Sequence, residues 1–146
     1  MRLVFTLCCL IVCCCYVEAE DKKESRFDAA KLVGKWKISE GHKMGEALEK
    51  ERLNSEITFT KDEIHIPAGP EGKFIMSYKI NSQKTPIEID MEIKDGPVKE
   101  GKASGIIELK DDTLKLCYNP MGDRPTKFES TKDNGAFYFV MKRAGK

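Results

Sequence analysis

Arg124 is the side chain best equipped to recognise a ligand: it stands in Asp123-Arg124-Pro125-Thr126, in a chain that draws most of its positive charge from lysine. A planar guanidinium takes both oxygens of a carboxylate at once, so Arg124 either holds an anionic ligand or ties the Asn119 to Asp123 loop to a nearby carbonyl or acid. Cys117 is the only cysteine beyond the first fifteen residues. Exposed, its thiolate is a nucleophile, but no histidine accompanies it to activate it, and a structural thiol is the expectation. His42 and His65 fall in different elements with no Cys, His or carboxylate at metal-ligand spacing, so no metal is expected. Glu88, Asp90 and Glu92 share one strand face. A general acid and base need surroundings that drive their pKa values apart, and a lysine-balanced row reads instead as a solvated outer surface. No catalytic residue and no cofactor emerges, and the expectation is that this is not an enzyme.

The elements that would carry these residues are strands. Apolar side chains alternate with polar ones from Leu32 onward, the period that leaves one face of a strand buried. Trp36 and Ile38 face one way and Lys35 and Lys37 the other; Ile57 and Phe59, then Ile64 and Ile66, continue the inward series. Phe74, Met76, Tyr78 and Ile80 follow, then Ile87, Ile89, Met91 and Ile93. Leu114, Leu116 and Tyr118 point inward, Phe128 is placed in a short strand after Pro125, and Phe137, Phe139 and Met141 close the set. Turn-forming residues punctuate the runs, as at Asp111-Asp112 and Lys94-Asp-Gly-Pro97. Gly41 to Asn54 is the one longer excursion, read as a brief helix or a lid. Phe27 to Leu32 is read as a helical turn that starts near Asp28 and packs Phe27 or Leu32 against the end of a sheet.

Length and charge narrow the function. The chain has 146 residues, one domain's worth, and a formal net charge of +1 made of interspersed lysines and carboxylates. Nothing forms the basic stripe that a phosphate backbone demands, so nucleic acid is excluded as an expected partner. Arg2, the apolar run Leu3 to Val17 and the small-residue site ending at Ala19 read as a signal peptide over 1–19, which makes the protein exported, to the periplasm or secreted. The run falls short of the roughly 20 apolar residues that cross a bilayer. Cys8, Cys9, Cys13, Cys14 and Cys15 raise the alternative of a lipid anchor, in which case the membrane becomes a partner. Cleavage at Ala19 leaves Cys117 without a disulfide partner. Residues 20–28 read as a charged spacer, 29–143 as the domain and 144–146 as a tail.

About eight or nine alternating strands leave two sheet edges to hide, and closure into an up-and-down antiparallel barrel hides both. The bulky inward set argues for a largely filled interior with any cavity confined to one mouth. Leu32-Val-Gly-Lys-Trp36 resembles the Gly-x-Trp start of lipocalin-type barrels. The ordered set of Gly34-Lys-Trp36, Asp95-Gly-Pro97, Gly105-Ile-x-Glu-Leu109, Asp112-Thr-Leu-Lys-Leu-Cys117 and Arg124-Pro-Thr126 with Phe128 is similar to the lipocalin-like domain family of uncharacterised exported planctomycete proteins. The resemblance spans roughly Ala29 to Arg143. It implies a structural role for Gly34, for Trp36 across the closed end and for Arg143 packed on its indole, a cation–π contact. The chain departs from true lipocalins in having no Thr-Asp-Tyr-type loop motif and no cysteine pair.

Two functions follow as expectations. One is a barrel that binds a small apolar or amphipathic ligand, with Arg124, Tyr78, Met91, Tyr118 and Phe139 as candidate binding residues. The other is a filled barrel that works through its outer surface as an envelope interaction or inhibitory module.

Overall fold

The structure, a computed structural model, describes residues 27–67, 69 and 72–145. The expected signal peptide and most of the expected spacer lie outside the described residues. Nine strands follow in order: β1 (Gly34–Lys43), β2 (Glu46–Ala47), β3 (Glu56–Phe59), β4 (Glu63–Pro67), β5 (Lys73–Asn81), β6 (Ile87–Asp95), β7 (Lys102–Lys110), β8 (Thr113–Asn119) and β9 (Phe137–Arg143). From β3 onward each strand pairs antiparallel with the next, and β1 bridges β3 and β9. The β1–β9 ladder runs from Trp36 opposite Arg143 to Lys43 opposite Phe137. The result is a closed eight-stranded up-and-down barrel, with the two-residue β2 as an extra strand on the upper part of β1. Short 3-10 turns at Ala29–Leu32 and Lys50–Arg52 occupy the two places where helical segments were expected.

Both two-residue hairpins are set by local chemistry. Met44-Gly45 and Asp111-Asp112 join their strands tightly, and Met44 (φ 49°), Gly45 (φ 81°) and Asp111 (φ 54°) take the positive φ that such turns need. After Gly45 the chain runs back along β1: Leu48 N–H donates to the Gly41 carbonyl at 2.7 Å and Asn54 N–H to the Ile38 carbonyl at 2.8 Å. Residues 44–55 thereby cover the stretch of β1 that β3 is too short to reach.

One end of the barrel is closed by packing. Leu32, Trp36, Phe59, Ile64, Ile89, Ile107, Leu114 and Met141 are fully buried there. Trp36 donates its indole N–H to the Leu32 carbonyl at 2.8 Å. The Arg143 guanidinium lies 4.3 Å from the indole centroid and donates to the Val33 and Lys31 carbonyls at 3.2 and 2.5 Å. Gly34 has φ +135°, and a Cβ there would stand 3.0 Å from an Arg143 nitrogen, so glycine leaves the room this contact uses.

A second long connection departs from expectation. Residues 120–136 form no strand at Phe128; they run as a strap over the outside of the barrel. The physical reason is closure: β8 and β9 already pair with one another, so no free edge is left for a strand between them. Phe128 packs outside instead, with Ile106, Cys117, Ala136 and Tyr138, in a small cluster separate from the barrel interior. That cluster buries Cys117 completely although it points away from the interior.

Candidate functional site

The end opposite Trp36 is hollow. A cavity of about 900 Å³ opens there, and Ile38, Ile57, Met76, Ala103, Leu116 and Phe139 are among its inner walls. Its mouth takes residues from four connections: Leu48, Glu49, Glu51 and Arg52 from 44–55, Gly69 after Pro67 at the end of β4, Val98, Glu100 and Gly101 from 96–101, and Pro120 and Met121 from the start of the strap. Met121 is 96% exposed and Val98 52%, so apolar side chains stand in solvent around the opening.

Two sequence features create the space. Ala103 presents a minimal side chain on β7, and Gly101 just before that strand leaves the room that Ile93 takes, where the other walls carry Phe74 and Phe139. The second feature is a β-bulge in β1, between Ile38 and Glu40. Alternation from Trp36 and Ile38 would send Glu40 and His42 inward; the extra residue Ser39 reverses the phase, so Gly41 is buried against Phe139 and Lys43 lines the cavity. Ser39 anchors the bulge by donating its hydroxyl to the Val140 carbonyl at 3.0 Å.

Lys43 is half-buried, with its ammonium 5.3 Å from the Phe137 ring centroid. Burial lowers its pKa, the Arg52 charge adds to the effect, and Glu49 opposes it. Phe137 makes an edge contact with Tyr118 at 5.4 Å, and Tyr118 stacks on Phe139 at 6.1 Å. Lys43, Phe137, Tyr118 and Phe139 are therefore one continuous wall. Burial pushes the Tyr118 hydroxyl well above the ordinary tyrosine range. That hydroxyl meets no hydrogen-bond partner among the described residues, and it is not sealed within the packing.

Of the five candidate binding residues, the cavity brings together Tyr118 and Phe139. Tyr78 and Met91 lie in the packed core, where Tyr78 donates to the Thr60 carbonyl at 2.8 Å and rests edge-on against Phe59 at 5.8 Å. Arg124 is on the outer wall. It donates to the carbonyls of Ile89 and Gly105 at 3.0 and 2.7 Å, pairs with Asp90 at 2.7 Å and lies 3.7 Å from Glu88. The acidic row on β6 is thus partly occupied in holding the strap. Arg124, with Asn119, Lys127, Glu129 and Asp133, also borders a smaller polar hollow of about 380 Å³ under that strap. His42 lies 3.8 Å from Glu40 and His65 2.9 Å from Glu63, and no cluster of three metal-ligating side chains occurs among the described residues.

Spacing alone does not find Lys43, because strict alternation sends it outward; the Ser39 bulge is the missing information. The small pair Gly101 and Ala103 was a legible signal for space. No family model, curated protein or solved structure matches the chain.

Proposed function

We propose that this protein is an exported binding barrel that holds one small, largely apolar or amphipathic molecule. The cavity carries the reading: its volume lies within the roughly 300–1,000 Å³ of small-molecule sites, its walls are aliphatic and aromatic, and it opens at one end. A filled barrel acting through its surface would need an apolar patch of its own. Among the described residues the exposed large apolar side chains are Val33, Met44, Val98 and Met121, and the two most relevant, Val98 and Met121, belong to the mouth. The ordered motifs that resemble the lipocalin-like exported family support the same reading, and no reaction is assigned.

The test is native mass spectrometry of protein taken gently from its own exported fraction, with Ala103→Phe as the blocked control. Ala103 lines the cavity opposite Met91. A small-molecule adduct that denaturation removes and Ala103→Phe does not carry is the expected result. A bare mass for both proteins, with no uptake of added apolar dyes, would overturn the reading.

A further inference from the structure

The cavity walls are mostly apolar; Glu49, Glu51, Arg52, Ser55, Glu100 and Lys102 also border it, and the wall around Phe137 carries two donors in need of an acceptor, Lys43 and Tyr118. Lys43 reaches in from β1 because of the Ser39 bulge, and no carboxylate stands at ion-pair distance from its ammonium among the described residues. Glu49, the acid whose field it feels, lies 4.0 Å from Arg52 instead. The Tyr118 hydroxyl lacks a partner as well. Phe137 touches both side chains, so the two donors flank a single ring. A half-buried ammonium set against an aromatic ring gives up hydration without full compensation, and an unsealed hydroxyl with no protein partner on the same wall is left to whatever enters the cavity.

On the reading that the cavity binds a small molecule, we propose that its ligand is a monocarboxylate with an apolar body. The carboxylate lies against Phe137 and takes hydrogen bonds from Lys43 and Tyr118, while the body runs along Phe139, Leu116 and Ala103. A carboxylate is acceptor-only and presents two oxygens, which matches one ammonium and one hydroxyl. One unit of negative charge also matches the one ammonium on this wall, that of Lys43, which has no carboxylate at ion-pair distance among the described residues. A phosphate head, carrying about −1.5 to −2, would bring more charge than the single ammonium on this wall answers, because Arg52 and Lys102 at the mouth stand among Glu49, Glu51 and Glu100. An ammonium head would face Lys43 directly, and an alcohol head would leave the charge unanswered.

The experiment is isothermal titration of the full chain with dodecanoate, dodecanol and dodecylammonium. Dodecanoate is expected to bind about tenfold or more tighter than dodecanol, and dodecylammonium weakest. Lys43→Gln and Lys43→Met bring dodecanoate down to the affinity of dodecanol in the same variant, with far-ultraviolet circular dichroism reporting that each is folded; Lys43→Arg restores the preference for the acid. Tyr118→Phe weakens dodecanoate alone. Equal affinity for all three probes in the unmodified protein would overturn the head-group assignment and leave the cavity reading standing. A preference for the acid that survives Lys43→Met would overturn it too. Failure of all three to bind would count against the cavity reading itself.

Discussion

At the scale of single residues, Arg124 and Cys117 show how far side-chain type announces role. Arg124 is the one candidate whose two sequence readings were opposed, ligand grip or structural tie, and its contacts with two strand carbonyls and Asp90 are those of a tie. Arg124→Ala is expected to cost about 2 kcal/mol in denaturant unfolding, the scale of charge-assisted bonds lost from a part-buried group, with dodecanol binding retained. Loss of binding without loss of stability would reassign it. Cys117 was legible as pointing away from Leu116 and Tyr118, but outward is not the same as exposed. Its thiol donates to the Glu129 carbonyl at 3.4 Å, and burial raises its pKa. A thiol reagent at about pH 8 should therefore leave it untouched in the folded state and label it on unfolding. Lys43 is the opposite lesson: no property of lysine marks it as inward, and one inserted residue four positions earlier decides it.

At the scale of elements, alternation located barrel strands well where a strand has one wet and one dry face, and β7 and β8 depart from it only under the strap, where Gly105 to Ile107 and Leu116 with Cys117 are buried in succession. It misplaced Phe128 for the same reason. An apolar residue flanked by polar ones has the local pattern of a half-buried strand, while the information that β8 and β9 are already partners is not local. The strap is instead pinned at intervals: Arg124 near one end, Cys117 to Glu129 midway, and Ser130, which donates to the Ala136 carbonyl at 2.6 Å and accepts from Gly45 N–H at 3.0 Å. Phe128 is its only large apolar foot on the barrel wall. Phe128→Ala should loosen the strap as a unit, at about 1–2 kcal/mol for a half-buried aromatic, and speed Cys117 labelling about tenfold. Unchanged labelling would mean that the strap's polar pins suffice.

At the scale of the whole molecule, the edges of an eight- or nine-strand meander forced closure, and that step was readable before any coordinate. The hollow was less so in its extent: summed side-chain bulk suggested a largely filled interior with any cavity confined to one mouth, and the bulk is indeed concentrated at the Trp36 end while the cavity of about 900 Å³ takes the other. Leu32→Ala, at the filled end, should cost about 3 kcal/mol; a comparable truncation of the cavity wall, where the space already exists, should cost less. Alkaline behaviour is also a property of the assembly. Cys117, Tyr78, Tyr118 and Tyr138 all have pKa values raised mainly by burial. Above their ordinary values the unfolded chain loses these protons while the folded protein keeps them, so the stability these groups contribute is fully present below about pH 8 and is lost as pH climbs through the folded values. Lys43, with its lowered pKa, opposes this over its own window. A denaturation midpoint that stayed level to about pH 11 would contradict the burial of the tyrosines.

The closed end is also where both described ends of the polypeptide meet. β1 begins beside the last residue of β9, and Ala144 N–H bonds to the Lys35 carbonyl at 2.8 Å. Anything tethered ahead of Phe27 or beyond Gly145 therefore hangs from the pole opposite the opening. A sensor surface, a fusion partner or an acyl tether joined at either terminus would leave the mouth facing free solution, so the proposed ligand could exchange while the protein stayed moored.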